Sequence, residues 1–140
     1  MYKDQYQKLI DFKKLGHRVK IIPKFLERDQ MKSIFQQYGI FISTTRMDSQ
    51  GVTMMEAGSA GLLIVTTDNS SKNEFIKDQV NGILGVYPND ISQKIQALTN
   101  NKNHFEEVVA NGRSYMEGID ISKTVQKEVK LLKQVYLNHA

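Results

Sequence analysis

Cysteine and tryptophan are absent from the 140 residues, and proline occurs only twice. Without cysteine there is neither a disulfide framework nor a thiolate metal site, and the redox compartment is left open. No apolar run approaches the roughly 18 residues of a membrane span, and no secretory leader is evident, so a cytoplasmic protein is expected. A Gly-x-x-x-x-Gly-Lys-Ser/Thr loop is missing, which argues against a P-loop nucleotidase. Ser43 and Ser49 lack the Gly-x-Ser-x-Gly setting of a hydrolase nucleophile. His17, His104 and His139 lie far apart, without carboxylates at ligand spacing, so no metal is expected. Internal repeats, low-complexity stretches and Pro-rich linkers are also missing.

What is present suits one compact domain over residues 1–140: 40% hydrophobic and 24% charged residues are ordinary for a globular chain. The charge is unevenly placed. Lys3, Lys8, Lys13, Lys14, Arg18, Lys20 and Lys24 stand against Asp4 and Asp11, a balance of +5 that leaves −1 for the remainder of a +4 chain. Such a bias would attract a nucleotide or anionic lipid, or would simply form a solvated helix face followed by a basic loop. Aromatic interleaving for nucleic acid is weak, and no nucleic-acid partner is expected.

Hydrophobic periodicity alternates between helix and strand, as a parallel sheet flanked by helices requires. Residues 2–15 read as helical up to the breaker Gly16, Val19–Ile22 as a strand, and Glu27–Tyr38 as a helix. Strands are expected at Gly39–Ser43, Leu62–Thr66 and Gly82–Val86, with helices after Gly51 and over Lys72–Lys77. Asn89 or Asp90 would cap a helix to about Leu98, and Phe105–Met116 form another. Ile121, Val125, Val129, Leu132 and Tyr136 recur on one helical face, with Lys123, Lys127, Lys130 and Lys133 elsewhere. That pattern predicts a packed amphipathic helix, the alternative being one that docks on a membrane surface or a partner.

The segment Arg46–Gly58 is the richest in chemistry. A buried strand runs into a Ser49-Gln50-Gly51 turn and then into a helix, an arrangement that presents free N–H groups and a positive dipole end to an anion. Two carboxylates, Asp48 and Glu56, stand eight positions apart. Taken alone, Asp48 could be an N-cap and Glu56 a solvated helix residue. Downstream, Ala57-Gly58-Ser59-Ala60-Gly61 allows the helix to end close against the next strand, with Gly61 as C-cap.

In this order, Asp48, Glu56, Ala57, Gly61, Val65, Thr66, Glu74, Asn81, Gly82, Ile83 and Leu84 resemble the nucleotide-sugar-binding half of GT-B glycosyltransferases. The retaining group called family 4 is the most similar, over roughly residues 19–136. The resemblance implies an α/β fold, a Rossmann-like parallel sheet flanked by helices, forming one truncated half of a GT-B fold. It further implies a transferase that takes a sugar from a nucleoside-diphosphate donor, with no cofactor and no metal. Asp48 and Glu56 would be the catalytic carboxylates, Glu56 on the ribose hydroxyls and Asp48 facing the sugar. Ser49, Gln50, Gly51 and Val52 would place their N–H groups against the diphosphate. Glu74 and Lys24 would complete the donor site, Lys24 from the Pro23-Lys24-Phe25 loop at the nucleobase. For Glu74 the helix dipole alone is a sufficient reason, and for that loop a Pro-led turn with a core Phe is.

Two departures matter. The family has Glu where this chain has Asp48, whose carboxylate is retracted by one methylene. The N-terminal acceptor domain and the first βα unit, with the Arg and Lys that clamp the diphosphate, are not matched, and Lys20, Lys24 and Arg28 do not take those places. Losing that electrophilic assistance would remove most of the rate, so a partial enzyme, inactive alone, is expected. By fold-family analogy only, its parent would act in surface-polysaccharide synthesis, on a saccharide or lipid-linked acceptor. Peripheral contact with the inner face of the membrane and homodimerisation across an exposed sheet edge are the accompanying expectations. The competing reading is a non-catalytic nucleotide-fold domain that binds a partner through its basic helices.

Overall fold

The structure, a computed structural model, describes residues 2–45, 51–68 and 71–138. The chain divides into two compact units, Met1–Met31 and Lys32–Ala140.

In the first unit, helix α1 (Tyr2–Phe12) is followed by a tight turn in which Lys14 takes a left-handed φ of 55°. Val19–Ile22 do not form the expected strand. The N–H of Val19 donates to the Leu15 carbonyl at 3.0 Å, closing a local turn. A β-prone run becomes a strand only where a neighbour accepts its ladder bonds, and here part of that capacity is spent locally.

The remaining elements are α2 (Arg28–Phe35), β1 (Ile40–Ser43), α3 (Val52–Ser59), β2 (Leu63–Thr67), α4 (Lys72–Phe75), β3 (Ile83–Gly85), α5 (Pro88–Thr99), α6 (Lys102–Gly118) and α7 (Ile121–Asn138). Among the described residues the sheet has three strands in the order β1-β2-β3, all parallel. Ser43 lies beside Thr66 and Thr67 beside Gly85, so the three carboxyl ends share one edge. Central β2 is buried on both faces, which explains its unbroken Leu-Ile-Val run. Leu63, Val65, Ile83, Ile91, Leu98 and Val108 form the core between the sheet and helices α5 and α6.

Close approach explains two of the small residues. A Cβ on Gly58 would stand 2.9 Å from Met116 Cγ, and one on Gly82 would stand 2.9 Å from the Ile64 carbonyl oxygen. Asn81, buried beside Gly82, accepts from Lys77 N at 2.6 Å and donates to the Phe75 carbonyl at 3.0 Å. The Asn-Gly pair therefore closes the turn into β3.

Several element ends differ from the sequence reading, as does one packing expectation. Pro88 opens α5 and Tyr87 is its N-cap, because proline's missing N–H costs nothing in a first turn. Asp90 lies inside that turn and accepts from Val86 N. Helix α6 begins three residues before Phe105, capped by Asn101 Oδ1, which accepts from His104 N at 3.2 Å. Helix α7 forms, yet Ile121, Val125, Val129, Leu132 and Tyr136 are 43–78% exposed, so its packing expectation is corrected. The pattern was sufficient for a helix with an apolar side but carried no surface to cover it. No described helix is long and apolar enough to cross a membrane.

Candidate functional site

In an open parallel sheet, ligands bind outside the carboxyl ends of the strands, where βα loops and helix N-termini converge. Here that edge is cross-tied by side chains. Thr66 Oγ1 donates to the Ser43 carbonyl and Thr67 Oγ1 to the Thr45 carbonyl, each at 2.9 Å. From β3, the Gly85 carbonyl accepts from Asp68 N at 2.9 Å.

Gly51 is the N-cap of α3 and sits at φ 61°, ψ 77°, a left-handed conformation that glycine adopts without a Cβ penalty. It has no side chain to cap the helix, and its carbonyl accepts from Met54 N at 2.8 Å and Met55 N at 3.2 Å. The N–H groups of Val52 and Thr53 therefore meet no side-chain acceptor from the cap, which is the donor arrangement an anion favours. Glu56 follows Val52 by four positions and so shares its side of the helix. Met54, Ala57 and Gly58 are the buried positions. Glu56 is half-buried, and among the described residues its carboxylate has no hydrogen-bond or ion-pair partner.

The other end of α3 is fixed. Gly61, at φ 86°, follows the C-cap, which is Ala60, one position before the Gly61 of the sequence reading. Gly61 N donates to the Gly58 carbonyl at 3.0 Å and Leu62 N to the Ala57 carbonyl at 3.1 Å, a paired helix stop that leads directly into β2. Both termini of the helix bearing Glu56 are thus set by left-handed glycines.

The structure brings Gly51, Val52 and Glu56 together on one helix. Glu74 is exposed on α4, the short helix that follows β2. Asp48, Ser49 and Gln50, with Arg46, lie outside the described residues. Lys24 is exposed in the irregular part of the first unit, and the site is described on the second unit alone.

One residue escaped the sequence reading. Lys72, in α4, is 1% exposed, and its Nζ donates to the Thr45 carbonyl at 3.2 Å and to Thr45 Oγ1. The Thr45 carbonyl therefore accepts from both Thr67 and Lys72. The only signal was the polar Thr44-Thr45 and Thr66-Thr67 pairs after two apolar runs, which mark strand ends but do not say that a lysine will reach between them.

Residues 1–115 match the family described as glycosyl transferases group 1. The chain belongs to that family. A curated relative, sucrose-phosphate synthase 4 of Arabidopsis thaliana, is 33% identical over 112 residues, covering 75% of this chain and 10% of the relative. Among solved structures, TarM is 26% identical with a TM-score of 0.76, covering 92% of this chain and 26% of TarM. The Anabaena protein HepE in complex with UDP-glucose superposes with a TM-score of 0.80 at 17% identity, over 95% of this chain and 37% of HepE. This group 1 domain thus spans about a tenth of its curated relative and about a third or less of those two structures. The GT-B resemblance and the α/β fold hold; the strand at Val19–Ile22 does not.

Proposed function

We propose that this domain binds the nucleoside-diphosphate sugar of a glycosyl transfer. The observation that carries the reading is the start of α3: a left-handed Gly51 cap, first-turn N–H groups without a side-chain acceptor from it, and a half-buried Glu56 one turn on that has no partner among the described residues. A diphosphate suits the N–H groups and the helix dipole, and a ribose diol suits a carboxylate, which accepts two hydrogen bonds at once. In this reading Glu56 orients the ribose, and Asp48 faces the sugar ring. The amides of Ser49, Gln50, Gly51 and Val52 spread charge away from the departing diphosphate, with Glu74 at the margin. No metal or cofactor takes part. Family membership supports the assignment, and the UDP and glucose in the HepE complex make a uridine nucleotide the first choice of probe.

Transfer itself is proposed for the whole enzyme, to a saccharide or lipid-linked acceptor held by more of the protein than these residues. The domain alone binds donor and turns over poorly. The peripheral membrane contact and the homodimer are further parts of the proposal, the latter supported by edge strand β1, whose Ile42 is 54% exposed.

The test is calorimetric titration with UDP, UDP-glucose, GDP and ADP. One nucleotide should bind, and Glu56→Gln should weaken it about tenfold, the loss of one charge-assisted bond being roughly 1.4 kcal/mol. The exposed apolar stripe of α7 favours a second reading, partner capture by the basic helices. Absence of nucleotide binding, together with capture unaffected by Glu56→Gln, would decide for it.

A further inference from the structure

A lysine with 1% exposure is costly, because its ammonium gives up water for whatever the fold supplies. Among the described residues both acceptors of its Nζ lie on Thr45, one a carbonyl and one a hydroxyl, and no carboxylate pairs with Lys72. A methionine would fill similar space without that desolvation, so packing alone does not account for a cation here. Its location does suggest a reason. Thr45 is the last described residue before the segment leading to Gly51 and α3, and its carbonyl also accepts from Thr67 Oγ1 at the end of β2. Lys72 thereby joins α4, β2 and the chain leaving β1 at one atom, on the carboxyl edge where the donor is proposed to bind.

We infer that Lys72 is a positioning residue of that crevice: its buried ammonium fastens Thr45 to the end of β2, on the strand-end edge that receives the diphosphate. The inference rests on the donor-binding reading above. Lys72 touches no ligand in this account. It acts by holding an acceptor-lined strand end still, and its fixed positive charge adds to the field that a diphosphate meets.

The experiment uses the full chain, with UDP as probe, at a temperature well below every variant's melting midpoint, so that only folded protein is titrated. Lys72→Met is expected to weaken UDP binding at least tenfold and to speed amide exchange at Thr45 and at Gly51–Thr53, whatever it does to the midpoint. Thr45→Val, which removes the hydroxyl acceptor and keeps the carbonyl, should move binding and exchange in the same direction by a smaller factor, and serves if Lys72→Met does not fold. A purely structural lysine would instead lower the midpoint while leaving the dissociation constant of the folded protein unchanged. Wild-type binding with unaltered affinity in both variants overturns this inference and leaves the donor reading standing. Failure of the wild type to bind any nucleotide overturns both.

Discussion

Two glycines bound the same helix in the same left-handed region, Gly51 at φ 61° before α3 and Gly61 at φ 86° after it. Replacing either with alanine forces a Cβ into that region at a cost of roughly 1–2 kcal/mol. Lower entropy of the unfolded chain offsets roughly 0.4–1 kcal/mol of this, leaving a net loss of about 1 kcal/mol. For a chain of this size that is about 4 °C in Tm. No atom lies within 4 Å of a Cβ built on Gly61, so its cost is conformational alone. The conformational part of the stability loss should be alike in Gly51→Ala and Gly61→Ala. Their effects on ligand should not be. Relaxing strain at Gly51 re-aims the first-turn N–H groups, so Gly51→Ala should weaken UDP binding about tenfold, roughly 1.4 kcal/mol. Gly61→Ala acts at the opposite end of the helix and should bind UDP as the wild type does. Thermal melts followed by circular dichroism and calorimetric titration of folded protein check the pair. Equal loss of affinity in both variants, or none in Gly51→Ala, would refute the claim that α3's N-terminus receives the diphosphate.

Two further expectations concern the frame around the site. Gly82→Ala places a Cβ 2.9 Å from the Ile64 carbonyl oxygen and 2.9 Å from Ile76 Cγ2; since a backbone atom cannot swing aside, overpacking should cost about 1–3 kcal/mol by urea denaturation. Lys94 ties α5 to β3: its Nζ lies 3.0 Å from Asp78, 3.3 Å from Asp90 and 2.6 Å from the Leu84 carbonyl. Desolvation acts to lower its pKa, but hydrogen bonds and charge from Asp78 and then Asp90 outweigh it and raise the value above 10.5. A raised lysine stabilises fully below its unfolded value and loses that contribution as pH climbs through the folded one. Lys94→Met should thus cost about 1 kcal/mol at neutral pH, a figure kept small by the partial exposure of all three side chains. The gap to wild type should narrow above about pH 10.5 and at high salt. A pH-independent gap would sink the ion-pair account.

Much of this was written in the chain. Apolar runs at residues 40–43, 63–67 and 83–85 are long enough for strands and too short for helices, so local pattern was sufficient to place them. The burial expected of the first did not follow: β2 and β3 are buried, whereas β1 is only partly covered and Ile42 is 54% exposed. The glycine-bounded helix with Glu56 was legible for the same reason, since caps and stops are set by neighbours in sequence. Val19–Ile22 and α7 were not legible in the same way. Each has the right local pattern, but a strand needs a partner edge and an apolar stripe needs a surface, and neither requirement is encoded within the segment itself.

Lys72 marks the limit most clearly. In sequence it is one more charged residue beside a Ser-rich turn, to be assigned to solvent on every general rule. Only the parallel register, which brings the end of β1 alongside the end of β2, creates a carbonyl and a hydroxyl at Thr45 for an ammonium arriving from 27 residues away. Periodicity and caps are local quantities and the sequence alone determined them. The crevice at the strand ends is a sum of distant contacts, and tertiary structure decided it.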